Sequence, residues 1–122
     1  MTALSPRQIA DELATLGIVP VITIEDVAAA APLAAALERG GLPVAEVTLR
    51  TPDALAALRA MKRAAPSLLV GAGTLRTPRD VEAAVAHGAD FLVSPGTTPA
   101  LERALLESGR LAIPGVATPS EA

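Results

Sequence analysis

Three side chains that could do chemistry together alternate along one short stretch of the chain. Glu46, Thr48 and Arg50 lie two residues apart within residues 43–51. This run is apolar and β-branched, and it is bounded by Gly-Gly and by Thr-Pro, which is typical of a strand. Because side chains alternate across a strand, these three are predicted to share one face with Val44 while the opposite face is apolar.

An acid and a guanidinium on one face of a buried strand have two interpretations. One is an internal salt bridge between Glu46 and Arg50, since buried ionised groups are costly unless they are paired. The other is a site that binds an anion and handles protons. The residues of this strand alone leave both open.

The other apolar runs also end in small and polar residues. Residues 71–74 are Gly-Ala-Gly-Thr, residues 94–96 are Ser-Pro-Gly and residues 114–115 are Pro-Gly. Ligands of parallel βα folds bind beyond the carboxyl ends of the strands. Because the polar groups gather at these ends, the sequence predicts a site there.

The elements that position these residues recur as one unit. Strand, loop, helix and glycine repeat about every 20 to 25 residues, which indicates a parallel sheet with helices packed outside it. Strands two to five are each followed by a Thr-Pro helix start. The predicted strands are residues 18–22, 43–51, 68–74, 91–96 and 111–115, and the predicted helices are residues 5–17, 24–38, 51–65, 77–88 and 98–109.

Two prolines carry specific expectations. Pro32 lies inside the second predicted helix and is expected to kink it, at a cost of about 3 kcal/mol. Pro119, between Thr118 as N-cap and Glu121 at N3, completes a capping box. The sequence thus begins a sixth helix and supplies one turn of it, so we expect that the chain is cut short. The alternative is a frayed tail that merely resembles a cap.

Two architectures accommodate repeated βα units. A flavodoxin-like, doubly wound sheet fits five units in 122 residues, whereas an eightfold barrel typically needs roughly 250 residues. A doubly wound phospho-receiver would carry acids after strands one and three and a lysine after strand five, which this chain does not. A charged inward face on strand two favours the barrel, with residues 1–122 as one partial domain.

Composition excludes several classes of function. The net charge is −3, and no basic run is present, which argues against nucleic-acid binding. The chain has no cysteine and one histidine, so thiolate chemistry and a multi-histidine metal site are not expected. The N-terminus lacks a signal-peptide pattern and no apolar run is long enough to cross a bilayer, which favours a cytoplasmic protein.

At five motifs the chain resembles a known family. Residues 19–22 (Val-Pro-Val-Ile), 46–51 (Glu-Val-Thr-Leu-Arg-Thr), 70–74 (Val-Gly-Ala-Gly-Thr), 94–96 (Ser-Pro-Gly) and 113–118 (Ile-Pro-Gly-Val-Ala-Thr) are similar to successive strand motifs of the 2-dehydro-3-deoxy-6-phosphogluconate (KDPG) aldolases. That family also includes 4-hydroxy-2-oxoglutarate (KHG) aldolase activity. The resemblance covers nearly the whole chain and implies an α/β fold, the (β/α)8 TIM barrel. It further implies a homotrimer, a 2-keto acid substrate and no cofactor.

The resemblance implies class I aldolase chemistry, in which a lysine forms a Schiff base with the 2-keto group and the C3–C4 bond then breaks. Glu46 is implied to be the general acid/base, while Arg50 and the Thr74 hydroxyl bind the pyruvate carboxylate. Gly73, with Gly71, is implied to let the backbone approach the substrate. Pro95, with Ser94, is implied to line the pocket.

The sequence departs from the family at the nucleophile. The family's Schiff-base lysine lies on the sixth strand and its phosphate-binding glycines on strands seven and eight. The only lysine here is Lys62, predicted to be a solvated lysine on the outer side of a helix. We therefore expect these residues to be inactive alone. The alternative is a non-catalytic half-barrel whose exposed first and fifth strands pair with a second chain.

Overall fold

A computed structural model of the chain describes residues 3–122; Met1 and Thr2, which belong to the predicted domain, lie outside the described residues. Five strands alternate with helices as predicted, and two single 3-10 turns, Val27–Ala29 and Pro119–Glu121, lie between or after them. The elements are α1 (Pro6–Leu16), β1 (Val21–Ile22), α2 (Ala30–Arg39), β2 (Val44–Thr48), α3 (Ala54–Ala64), β3 (Leu69–Gly73), α4 (Pro78–Ala86), β4 (Phe91–Ser94), α5 (Pro99–Glu107) and β5 (Leu111–Pro114).

The strands form one parallel sheet in the sequential order β1-β2-β3-β4-β5. A doubly wound sheet reverses its strand order at a switch point, but here each strand pairs with the next one along the chain. The flavodoxin-like alternative is therefore wrong. Sequential order is that of a βα barrel, seen here as an open sheet with β1 and β5 at its edges, as predicted.

The two faces of the sheet are covered by different helices. On the outer face, α2 to α5 pack against alternate strand residues, because each βα crossover returns to the same side. On the inner face, α1 covers only the amino half of the strands. The outer cluster includes Ala45, Val47, Val70, Ala72 and Leu92 with Leu58, Met61, Val81 and Leu101. The inner cluster consists of Ile9, Val44, Leu69 and Phe91.

Three of the predicted helix starts are confirmed by side-chain caps. The hydroxyls of Ser5, Thr77 and Thr98 each accept a hydrogen bond from a backbone N–H in the first helical turn. The predictions for Thr51 and Thr118 are wrong, because neither hydroxyl caps a helix. α3 begins after Asp53 without any side-chain cap. The residues after Thr118 form a 3-10 turn, and Glu121 accepts from the Ala117 N–H instead.

The helix that contains Pro32 starts later than predicted, and the predicted kink stays a prediction. The segment before α2 forms a separate 3-10 turn, Val27–Ala29, which Asp26 caps through its carboxylate. Pro32 is consequently the third residue of α2. N–H groups in a first helical turn have no intrahelical acceptor, so a proline there removes no hydrogen bond.

The first strand is shorter than predicted, since it starts at Val21 and not at Ile18. Pro20 has no N–H to donate, although its carbonyl accepts from the Glu46 N–H at 2.9 Å. An edge strand tolerates such a proline. Within residues 3–122, no helix is both long and apolar enough to span a membrane.

Lys62 is half-buried, so the prediction of a solvated surface lysine is wrong. Its Nζ lies 2.8 Å from Asp90 Oδ2, and the two side chains are only 21% and 23% exposed. The ammonium also donates to the carbonyls of Pro66 and Leu68, and Asp90 accepts from the Val70 N–H. The pair therefore joins α3 to the amino ends of β3 and β4.

We expect Asp90→Ala to lower the free energy of unfolding by about 2 kcal/mol, because it leaves a half-buried ammonium and the Val70 N–H without their shared acceptor. Urea unfolding would measure the change. The matched control is Asp11→Ala, which breaks the exposed Arg7–Asp11 pair and should cost no more than about 0.5 kcal/mol. Equal effects of the two substitutions would contradict this role for Asp90.

Candidate active site

The polar side chains that the fold buries mark one region of the sheet. Among the described residues, the buried polar or charged ones are Glu46, Thr48 and Ser94, and all three lie on strands. Thr48 and Ser94 are the last residues of β2 and β4. Buried polar groups gathered at the carboxyl ends of parallel strands are typical of a ligand site.

Glu46 lies in a space that the neighbouring strand leaves free. In the register of β2 and β3, Glu46 faces Gly71, and Gly73 is two residues further along. A Cβ on Gly73 would collide with the Glu46 carboxyl, and a Cβ on Gly71 would collide with the Phe91 ring. Both glycines thus have a use that the sequence did not indicate: they make room for side chains of adjacent strands. The predicted substrate contact of Gly73 stays a prediction.

Burial raises the pKa of Glu46. The residue is 9% exposed, and desolvation raises the pKa of the carboxyl, while the nearby Arg50 guanidinium lowers it less strongly. The ion pairs of residues 3–122 are Arg7–Asp11 and Lys62–Asp90. The internal Glu46–Arg50 salt bridge considered from the sequence is therefore wrong, and no cation among residues 3–122 forms an ion pair with the Glu46 carboxyl.

Arg50 and Thr74 meet at the carboxyl edge, as the predicted carboxylate clamp requires. Arg50 Nε donates to Thr74 Oγ1 at 3.2 Å, while Arg50 itself is exposed, so its terminal nitrogens are accessible to an anion. Thr74 has a φ of 60°. This left-handed conformation is strained for a β-branched residue, and such strain is typical of functional positions.

A set of hydroxyls that the sequence analysis missed joins the exits of β1 and β2. Thr23 Oγ1 lies 3.0 Å from Thr48 Oγ1, and Thr48 also donates to the Ile22 carbonyl at 3.3 Å. Thr51 Oγ1 donates to the Ile24 carbonyl at 2.6 Å. Three threonines at or near the ends of two predicted strands were the available signal, but the Thr-Pro pattern assigned Thr51 to a helix cap.

The exits of β4 and β5 are joined in a similar way. Thr97 Oγ1 donates to the Gly115 carbonyl at 3.0 Å and lies 3.3 Å from Ser94 Oγ. A Cβ on Gly115 would collide with the Pro95 carbonyl. Ser94 and Pro95 are therefore at the predicted edge, two strands from Glu46, where their lining of the pocket stays a prediction.

Two other features are separate from this site. A groove of about 810 Å³ lies between α4 and α5 and is lined by residues such as Val81, Val85 and Arg103, on the outer layer of the fold. Lys62 lies at the amino ends of β3 and β4, the opposite end from Thr74. Neither contributes a group to the carboxyl edge.

The arrangement can bind a small carboxylate and move a proton beside it. A guanidinium is suited to bidentate binding of a carboxylate, and a buried carboxyl with a raised pKa holds its proton more tightly than an exposed one and can act as an acid or a base. Fold and site together define part of a βα-barrel protein with polar side chains gathered at the carboxyl edge of its sheet.

The chain belongs to the KDPG and KHG aldolase family, whose model matches residues 9–122. It is 47% identical over 104 residues to the 2-dehydro-3-deoxy-phosphogluconate aldolase of Pseudomonas aeruginosa, covering 85% of this chain and 47% of that protein. It is 42% identical over 113 residues to the KHG/KDPG aldolase of Escherichia coli K12, covering 92% and 53% of the two chains. The family resemblance predicted from the sequence is thereby confirmed.

Solved structures support the same assignment. The 2-keto-3-deoxy-6-phosphogluconate aldolase of Zymomonas mobilis with 3-phosphoglycerate aligns with a TM-score of 0.87 at 41% identity, covering 96% of this chain and 56% of that one. The KDPG aldolase of Legionella pneumophila, with pyruvate captured as a covalent carbinolamine intermediate, aligns at 0.81 and 48% identity, covering 84% and 50%. The chain thus spans about half the length of the relatives it matches.

We expect Glu46→Gln to raise the free energy of unfolding at neutral pH and not at acidic pH. Because the pKa of Glu46 is higher in the folded than in the unfolded chain, the ionisation of Glu46 destabilises the fold as pH rises past the unfolded value. Urea midpoints of both proteins between pH 4 and 8 would measure this. Glu12→Gln, at an exposed acid, is the control and should show no such trend. A pH-independent difference for Glu46→Gln would contradict the assignment.

We expect Thr74→Asn to stabilise the fold by about 1 kcal/mol, because asparagine tolerates the left-handed region better than a β-branched residue. Urea unfolding would measure the gain. Thr15→Asn, at a helical position in α1, is the matched control and should not stabilise. A loss of stability at position 74 would show that the conformation is not strained.

Proposed function

We propose that this chain forms the acid/base and carboxylate-binding part of a class I aldolase site. The proposed reaction cleaves 2-dehydro-3-deoxy-6-phosphogluconate to pyruvate and glyceraldehyde 3-phosphate. The observation that carries the proposal is a buried Glu46 with a raised pKa beside the Arg50–Thr74 pair, in a chain of the KDPG and KHG aldolase family.

In this reaction a lysine amine adds to the C2 carbonyl and water leaves, which gives an iminium. Glu46 removes the proton of the C4 hydroxyl. The electrons of the C3–C4 bond move into the iminium, so that the aldehyde leaves and an enamine remains. Glu46 then returns a proton to C3, and hydrolysis of the iminium releases pyruvate and the free amine. A carboxyl whose pKa is raised by burial suits a group that both takes and gives a proton.

Arg50 and Thr74 would hold the carboxylate of the same substrate. The Arg50 Nε is already bound to the Thr74 hydroxyl, which fixes the plane of the guanidinium and leaves its terminal nitrogens for the anion. Bidentate binding would orient C2 relative to Glu46. Pro95 and Gly73 complete the proposed substrate-binding set.

The Schiff-base lysine is not supplied by Lys62, which is occupied by Asp90 and two carbonyls at the opposite end of the strands. In the family it lies on the sixth strand, beyond the part of the relatives that this chain matches. We therefore propose that these residues need that part for catalysis. Cleavage of 4-hydroxy-2-oxoglutarate to pyruvate and glyoxylate and a homotrimer of the full-length protein are further proposals from the resemblance, and a cytoplasmic location is a further proposal from the sequence pattern.

A second candidate function is a non-catalytic half-barrel that pairs with another chain. It is favoured by the apolar residues that both sheet edges expose, of which Val21 on β1 is 63% and Ile113 on β5 is 42% exposed. Unpaired edges of this kind recruit further strands. Light scattering of this chain alone distinguishes the candidates, since a defined dimer or trimer would favour the half-barrel and aggregated or unfolded chain would favour a part of a larger enzyme.

The decisive experiment joins residues 9–122 to the unmatched remainder of the Pseudomonas aeruginosa aldolase and measures pyruvate release from the sugar acid. We expect activity, and we expect Glu46→Gln to lower kcat by about 10² to 10⁴, as for the loss of a general acid/base. Arg50→Lys should mainly raise KM, because a lysine cannot bind a carboxylate in the same bidentate way.

Borohydride trapping with pyruvate on the 122-residue chain, detected by intact mass, is the complementary test. No adduct is expected. An adduct at Lys62 would contradict the proposed division of the site, and a folded chimera in which Glu46→Gln is as active as the parent would contradict the role of Glu46. Glu12→Gln in the chimera is the matched control.

A further inference from the structure

Thr51 is the one Thr-Pro threonine whose hydroxyl is used to join two strand exits. In α4 and α5 the corresponding threonines, Thr77 and Thr98, cap the helix that follows. Thr51 instead donates to the Ile24 carbonyl at 2.6 Å, and α3 starts without a side-chain cap. A threonine hydroxyl at a helix start would stabilise the helix as a cap. The Thr51 hydroxyl does not do so, which suggests that its hydrogen bond to Ile24 has a different role.

The acceptor of this hydrogen bond is a fixed point of the fold. Ile24 is 3% exposed and packs in the outer core. The same segment is held a second time, by the contact of the Thr23 and Thr48 hydroxyls at 3.0 Å. The Ile24 carbonyl therefore offers a rigid anchor, although β1 itself is only two residues long.

The backbone of Arg50 is consequently held on both sides. Before it, the Leu49 N–H donates to the Gly73 carbonyl at 2.9 Å, which ties it to β3. After it, the Thr51 hydroxyl ties it to the exit of β1. The first anchor is a backbone hydrogen bond that uses no side chain, so the second is the one that depends on a side chain.

We propose that Thr51 is a positioning residue that fixes Arg50 for carboxylate binding through its hydrogen bond to Ile24. This inference rests on the proposed function, in which Arg50 binds the carboxylate of the 2-keto acid. Without the hydroxyl, the residues after β2 can move relative to β1, and the guanidinium no longer stays in the plane that Thr74 sets. Thr51 itself touches no reacting atom.

The test uses the 122-residue chain and pyruvate as the probe. NMR relaxation of the Arg50 Nε–H measures the order of the guanidinium in the free protein, and a pyruvate titration followed by the same signal gives Kd. We expect Thr51→Val to lower the order and to weaken binding about tenfold, the equivalent of about 1.4 kcal/mol. Thr51→Ser, which keeps the hydroxyl, should restore both.

Thr98→Val is the matched control, because it removes a threonine hydroxyl of the same Thr-Pro type that caps α5. It should lower stability without changing the order of Arg50. The proposal is overturned if Thr51→Val leaves the order of Arg50 as in the parent, or if Thr98→Val reduces it equally. If the parent chain shows no pyruvate binding, the carboxylate step of the proposed function fails, and the order of Arg50 alone then decides the role of Thr51.

Discussion

The geometry of the site depends on two glycines, Gly71 and Gly73, which leave the carboxyl half of one face of β3 without side chains. A carboxyl can be buried on a sheet only where the neighbouring strand leaves space for it, and Gly73 leaves that space for Glu46. Gly71 does the same for the Phe91 ring, the largest side chain of the inner cluster. The same strand, β3, therefore makes room for both the core ring and the buried acid. A residue with a Cβ at position 71 or 73 would displace Phe91 or Glu46, respectively.

Hydrogen bonds between strand exits provide the rest of the order at the carboxyl edge. Parallel strands give this edge no turns of its own, and its loops lead away to the outer helices. Side chains hold these loops together instead: Thr51 on Ile24, Arg50 on Thr74, and Thr97 on Gly115. Each link crosses from one βα unit to the next, so the position of a side chain on one unit depends on its neighbour.

The βα repeat was predictable from the sequence because it depends on local signals. Hydrophobic runs, glycine stops and the caps at Ser5, Thr77 and Thr98 are all read within a few residues. The predicted alternation holds for Glu46 and Thr48, whereas β2 ends at Thr48 and Arg50 lies in the turn beyond the strand on which it was predicted. Contacts between residues distant in sequence could not be predicted, because neither the Thr51 hydrogen bond to Ile24 nor the Lys62–Asp90 pair leaves a local sequence pattern. The strain at Thr74 is likewise a property of the loop and not of its residue type.

The Lys62–Asp90 pair lies at the amino ends of the strands, whereas Glu46, Arg50 and Thr74 face the carboxyl edge or lie on it. Selection can therefore act on the two ends of the sheet with little interference. Substitutions in the loops after the strands can change which ligands bind, while the Lys62–Asp90 pair at the other end continues to stabilise the fold. In a βα protein of this design, the contacts that maintain stability lie away from the loops in which substitutions can alter function, so such substitutions cost less stability.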